Sequence, residues 1–320
     1  MTTVAGTRLQ DAHSAADKLL RQKGRSFYWA RHLLSRRHAA RATRLYGFCR
    51  HLDDMADEQH TCGSARAFLS AADHSIQTGH SEDLVINNGI LLIRECGIDP
   101  VVVRAMILGI TSDLEVVMME DETELLRYCY RVAGTVGVMM CGALDVADQA
   151  ALPYAIDLGI AMQLTNICRD IREDAEAGRR YLPATLVGDV LPQDLINPNQ
   201  PLKEKVCKGI ATLLDLADQY YASGEKGLPY LPLKARMGIL VASRIYRAIG
   251  TEIRQRACDI WADRAVVSGI TKACLSSQAL IISPLSSTFW KLPLEHRSDL
   301  HHALSGMKDF TCGIKAQYAS

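Results

Sequence analysis

The feature that most restricts this chain is the spacing of its apolar side chains. Over long stretches they recur three or four residues apart, and almost nowhere do they alternate as a half-buried strand requires. In Ala42–Asp57 the positions Leu45, Phe48, Cys49, Leu52 and Ala56 follow this rule. Pro100–Met119 follows it behind Asp99-Pro100, a dipeptide suited to opening a helix. Glu122–Leu144, Leu152–Asp174, Lys203–Tyr221 and Ala235–Trp261 are further helical runs. Breakers concentrate in Gly178–Pro201 and Gly224–Pro232, yet both segments keep Leu, Val or Tyr and so do not read as flexible linkers. With no internal repeat, the expectation is an all-α, single-domain bundle over 1–320, its core at about 20–284. After Pro284 the pattern weakens and predicts a loosely held tail.

Composition narrows the function. Hydrophobic residues make up 48% of the chain, enough for a large core. Lys+Arg and Asp+Glu both number 36, and this zero balance argues against a nucleic-acid partner. The 10 cysteines are scattered from Cys49 to Cys312 with no CxxC pair, which argues against zinc and a disulfide framework and for reduced thiols in a cytoplasmic protein. The N-terminal stretch has no apolar signal core, and no run approaches the length of a membrane span.

Chemistry is signalled by two acidic stripes. In Arg50-His51-Leu52-Asp53-Asp54-Met55-Ala56-Asp57, helical geometry sets Asp53 and Asp57 about 40° apart around the axis and about 6 Å apart along it. Two carboxylates so placed can share a divalent cation, while Arg50 presents a guanidinium from one turn earlier. Asp54 points about 100° away from Asp53 and is the weaker ligand candidate. In Gln163–Asp174, the residues Asn166, Asp170 and Asp174 fall at i, i+4 and i+8, on a different face from Leu164, Ile167, Cys168 and Ile171. One neutral oxygen followed by two carboxylates suits Mg²⁺, which takes hard oxygen ligands and keeps positions for water or phosphate. Each stripe alone also reads as a solvated polar helix face. Facing each other across a cavity, they could hold several cations around a diphosphate. The absence of Glu-x-x-His and of a glycine-rich phosphate loop disfavours di-iron chemistry and nucleotide hydrolysis of the P-loop type.

With their contexts, these motifs resemble the squalene/phytoene synthase family. Asp53–Asp57 and Asp170–Asp174 look like its paired aspartate motifs, Gly24-Arg25-Ser26-Phe27-Tyr28 its N-terminal substrate segment, and Leu45–Arg50 the lead-in to the first motif. Tyr128–Gly137 is similar to its helix across the cavity, and Gln163–Asp174 with Gly178–Pro183 to its second signature. The likeness runs from Gly24 to Arg264 and is closest to bacterial phytoene synthases.

The resemblance implies an isoprenoid-synthase-type helical bundle around a central cavity, in which two prenyl diphosphates condense head to head. It implies that Asp53, Asp57, Asn166, Asp170 and Asp174 hold Mg²⁺ (Mn²⁺ as a possible substitute), with Asp53, Asp57, Asp170, Asp174 and Arg50 catalytic. Arg25, Ser26, Tyr46, Arg50, Gln163 and Arg169 would contact diphosphate, joined by Tyr246 and Arg264 through a match shifted by one residue. The expected reaction converts two geranylgeranyl diphosphates to phytoene without NADPH. Its rivals are the same chemistry on farnesyl diphosphate and, from another class, a non-catalytic assembly factor on the same fold. An oily product further implies peripheral membrane contact, at a surface the sequence does not locate.

Overall fold

The computed structural model describes residues 17–57 and 62–310, with Arg25 defined in its backbone only. The N-terminal residues 1–16, where the lack of a signal core was noted, lie outside the described residues. After a helical segment at 17–23, the longer helices are α1 (Arg25–Arg31), α2 (Arg36–Asp57), α3 (Cys62–Thr78), α4 (Leu84–Glu95), α5 (Pro100–Ser112), α6 (Glu122–Cys129) and α7 (Thr135–Ala143). They continue with α8 (Leu152–Glu176), the short α9 (Ala184–Val187) and α10 (Pro192–Ile196), then α11 (Gln200–Gly224), α12 (Leu233–Gln255) and α13 (Gly269–Ile281). Among the described residues there is no strand, only an isolated parallel bridge between Met118 and Arg180. The all-α expectation therefore holds.

Local chemistry fixes the helix starts. Asp83, Asp99, Asp121, Asn199 and Ser268 each accept a bond from a backbone N–H in the first turn of the helix that follows. Such a cap contributes about 1 kcal/mol. Helix α8 is the axis of the fold, packing against α7, α10, α11 and α12. Its inner residues Ile160, Ala161, Leu164 and Cys168 are fully enclosed.

Two glycines set the closeness of one crossing. A Cβ on Gly137 would lie 2.1 Å from the Ala155 carbonyl oxygen, and one on Gly159 would lie 2.3 Å from that of Ala133. The backbones of α7 and α8 thus touch where both helices also border the central cavity. Here the structure departs from the single run expected over Glu122–Leu144. A π-turn at Tyr130–Gly134 separates α6 from α7, immediately beside this contact.

Three other expectations are corrected. The run Pro100–Met119 is helical only to Ser112. Beyond Leu114 the chain extends alongside the turn after α8, with Arg180 N–H donating to Val117 O and Met119 N–H to Arg180 O. The run Ala235–Trp261 ends at Gln255, because Ala257 and Cys258 adopt left-handed φ values of 52° and 59° that no continuing helix permits.

The tail is not loose through residue 310. Leu300 and Leu304 sit in the main core, Tyr220 Oη donates to Leu300 O at 2.6 Å, and Arg131 pairs with Asp309 at 2.7 Å. The deepest anchor is Asp157 on α8, wholly buried, whose two oxygens lie 2.7 Å from His296 Nε2 and 2.8 Å from His301 Nε2. Burial alone would push the Asp157 carboxyl up, but the two histidine contacts outweigh it and hold it below the usual range. Periodicity could not reveal a segment tied down by polar bonds to a residue more than a hundred positions away.

Breaking the hydrogen bonds of a buried carboxylate is costly. Asp157→Asn is expected to lower unfolding free energy by about 2 kcal/mol in urea titration and to raise hydrogen exchange across 296–310. Unchanged exchange in that segment would contradict the anchoring role.

Candidate active site

The acidic stripes converge because α2 and α8 border the same central cavity of about 850 Å³. From α2, Tyr46, Cys49, Arg50, Asp53, Ala56 and Asp57 line it, a run at three- and four-residue spacing. From α8, Gly159, Met162, Gln163, Asn166, Asp170 and Asp174 do the same. The wall is divided in character. Asp53 and Asp57 line the cavity from the C-terminal part of α2, and Asp170 and Asp174 from that of α8, while Tyr154 and Leu158 line it from the N-terminal part of α8 and Val136 and Met140 from α7.

A third acidic element joins them. Asp113, at the C-terminal end of α5, accepts bonds from Tyr128 Oη at 2.9 Å and Tyr181 Oη at 2.7 Å, the two rings stacked with centroids 4.8 Å apart. Burial raises its carboxyl despite the two phenol donors. Burial also pushes Asp53 up to about 7, with the charges of Asp57, Asp113 and Asp54 adding to the effect. Asp174 rises to about 8 for the same reason, reinforced by Asp170, Asp113 and Glu173. Asp113 thus senses both stripes, and negative charge accumulates in one low-dielectric volume.

The cations present are already engaged. Arg50 Nε donates to Asp54 at 2.7 Å, and Lys23 Nζ reaches the same oxygen at 2.9 Å. Asp54 therefore turns toward these partners and does not line the cavity. Arg169 Nε bonds Asp170 at 2.7 Å, and Arg264 grips both oxygens of the same carboxylate at 2.9 and 3.0 Å. These arginines keep Asp170 below the usual range although burial acts the other way. Arg179 donates to Asp57 at 3.1 Å.

Whether the residues suit a metal is answered by Asn166. Its Nδ2 donates to Gln163 Oε1 at 3.4 Å, while its buried Oδ1 has no hydrogen-bond partner in the structure. A buried amide oxygen in line with two carboxylates matches a hard divalent cation. A second group of ligand-type atoms, Asp157, His296 and His301, lies within 4.8 Å of one another. It belongs to the anchor of the C-terminal segment, not to the acidic cradle.

Of the residues singled out from sequence, Tyr46, Arg50, Asp53, Asp57, Gln163, Asn166, Arg169, Asp170, Asp174, Tyr246 and Arg264 all border this cavity. Ser26 does not, although its neighbours Gly24 and Phe27 do, and the Arg25 side chain lies outside the described residues. Sequence reasoning missed Lys23, Asp113 and Arg179 and gave Tyr181 no role. Gly178 (φ +78°) turns the chain back after α8, and buried Arg180 donates to Met119 O and Leu182 O, so that Arg179 and Tyr181 flank a pinned residue at the cavity wall. The string Gly178–Pro183 carried a signal for those two. Asp113 had none, since it sat inside a run read as continuous helix.

A match to the squalene/phytoene synthase family model spans residues 20–271. The chain belongs to this family. It is 32% identical to the 15-cis-phytoene synthase of Enterobacter agglomerans, over 84% of this chain and 98% of that protein. It is 35% identical to the 15-cis-phytoene synthase of a Paracoccus species, over 71% of this chain and 77% of the other. A solved dehydrosqualene synthase superposes with a TM-score of 0.74 at 24% identity, covering 87% of this chain and 98% of that one, a likeness of fold. The protein is thus a prenyltransferase on the isoprenoid-synthase fold. No helix among the described residues is long and apolar enough to cross a membrane.

The raised carboxyls give a signed pH dependence. Asp53 and Asp174 hold protons in the folded chain at pH values where the unfolded chain has lost them, so the cation-free protein loses stability as pH climbs from about 4 toward 8. Added Mg²⁺ is expected to raise the melting temperature more at about pH 8.5 than at about pH 5.5, because binding needs the ionised forms. An equal gain at both values, in thermal melts against an EDTA control, would contradict that assignment.

Proposed function

We propose that this protein joins two geranylgeranyl diphosphates head to head through a cyclopropylcarbinyl diphosphate to give phytoene. The observation that carries this reading is one cavity lined both by aspartates from the C-terminal parts of α2 and α8 and by apolar side chains from α7 and the N-terminal part of α8. Its named relatives, both phytoene synthases, support the C20 substrate over the C15 one.

Asp53, Asp57, Asn166, Asp170 and Asp174 would hold Mg²⁺, which when bound neutralises the leaving diphosphate. Arg50, Arg169 and Arg264, each now paired with an aspartate, can exchange part of that pairing for phosphate oxygens. Diphosphate departs with the electron pair of its C–O bond, leaving an allylic cation. The second substrate's double bond attacks that cation, and proton loss closes the cyclopropane. Loss of the second diphosphate, rearrangement and a further proton loss give the hydrocarbon. No covalent bond to the protein is needed. Tyr128 and Tyr181 stay protonated throughout, since burial and the Asp113 charge push both phenols up. The apolar wall excludes water, which would otherwise quench the cation as an alcohol.

Pure protein given Mg²⁺ and geranylgeranyl diphosphate, without NADPH, is expected to yield phytoene. Hydrocarbon made only from farnesyl diphosphate would favour the C15 reading, and no turnover with either would favour a non-catalytic role. Asp53→Asn and Asp170→Asn are each expected to cut turnover at least about 100-fold with an unchanged circular dichroism spectrum. Full activity in both variants would refute the metal assignment.

A further inference from the structure

Helix α8 carries ligand-type atoms on two faces. Asp157 comes nine residues before Asn166, which on a helix is about 13 Å along the axis and about 180° around it. It does not line the central cavity. On this second face, Asp157 Oδ2 lies 2.7 Å from His296 Nε2 and Oδ1 lies 2.8 Å from His301 Nε2. The three side chains are enclosed, with His301 1% and His296 6% exposed and Asp157 wholly buried.

The surroundings hold both imidazoles toward the carboxylate. Their ring centroids are 4.6 Å apart. Tyr154 meets the His296 ring edge-on at 5.0 Å, and Phe310 meets the His301 ring edge-on at 5.7 Å. Tyr220 Oη fastens Leu300 O, inside the 3-10 turn Ser298–Leu304 that bears His301. Four residues separate the two histidines, a spacing that zinc sites use. Two imidazoles with a carboxylate suit Zn²⁺ over Mg²⁺, which prefers oxygen donors throughout. The case against zinc drawn from the scattered cysteines does not reach this group, which contains none. With both imidazoles neutral, their ordinary state above about pH 7, the group keeps a net negative charge in a buried place. A divalent cation compensates that charge.

We propose that Asp157, His296 and His301 form a Zn²⁺ site that clamps the segment 296–310 onto α8, separate from the acidic cradle. On binding, each imidazole carries its proton on Nδ1 and turns the Nε2 lone pair on the ion. The two Asp157 oxygens, each already facing one imidazole, supply the remaining donors. Zinc bonds of about 2.0–2.2 Å require the hydrogen-bonded pairs to spread slightly as the ion enters. His296 stands between exposed Glu295 and Arg297 and forms the entry edge. The clamp is independent of the reaction the enzyme performs.

The test titrates the full chain with Zn²⁺ in excess Mg²⁺ and counts the zinc retained through gel filtration by elemental analysis. One tightly held equivalent is expected, with hydrogen exchange across 296–310 slowed at least about tenfold against the zinc-free protein. Zinc-edge X-ray absorption is expected to show nitrogen and oxygen neighbours at about 2.0–2.2 Å, without the sulfur at about 2.3 Å that cysteine binding gives. His296→Gln and His301→Gln each keep an N–H for Asp157 but lose the imidazole ligand. Each is expected to weaken zinc binding at least about 100-fold with an unchanged circular dichroism spectrum. No zinc retained, sulfur around the zinc, or Gln variants that bind as the wild type does would each overturn the proposal. If a Gln variant fails to fold, the X-ray absorption of the wild-type protein decides alone.

Discussion

The structure is organised around an electrostatic debt in its interior. Asp53, Asp57, Asp113, Asp170 and Asp174 all border one cavity, and their mutual repulsion in a poorly screened volume opposes folding. The protein relieves part of it with Arg169 and Arg264 on Asp170 and Arg179 on Asp57, part with phenol donors to Asp113, and part by retaining protons on Asp53 and Asp174. What is left, including the unbonded Asn166 oxygen, is a demand for positive charge from outside. A family that removes diphosphate from allylic carbon is served by such a demand, because cation and leaving group arrive as mutually compensating charges.

The apolar lining of the cavity depends on a different constraint. Gly137 and Gly159 let α7 and α8 approach until backbone meets backbone, and the π-turn before α7 adjusts the register on the way to that contact. Met140 on α7 and Leu144 just beyond its end, with Tyr154 and Leu158 on α8, then supply apolar lining to the cavity. Any larger residue at Gly137 would push against the Ala155 carbonyl and separate the helices on which the cavity depends.

Much of this was legible in the sequence because it is periodic. Helical spacing placed Asp53 with Asp57, and Asn166 with Asp170 and Asp174, on single faces, and it separated Asp54 from the carboxylates that line the cavity. Motif order carried the resemblance, which brought Tyr246 and Arg264 to the cavity from far along the chain. The illegible parts depend on tertiary contacts. Asp113 acquires its place because α5 stops early and two tyrosines from elsewhere bond it. His296 and His301 carry no helical signal, and only the folded chain shows what they embrace. Ser26 shows the converse, a motif residue that the backbone keeps off the cavity wall while its neighbours reach it.

The anchor at Asp157 has a wider consequence. The recurring family pattern ends at residue 271, yet a carboxylate well inside it, on α8, finds its partners at positions 296 and 301. The stretch a family shares and the stretch that must be present for the interior to be electrically complete are therefore different lengths. Trimming this polypeptide to its homologous portion would leave a naked anion at the heart of the helix that also bears Asn166, Asp170 and Asp174.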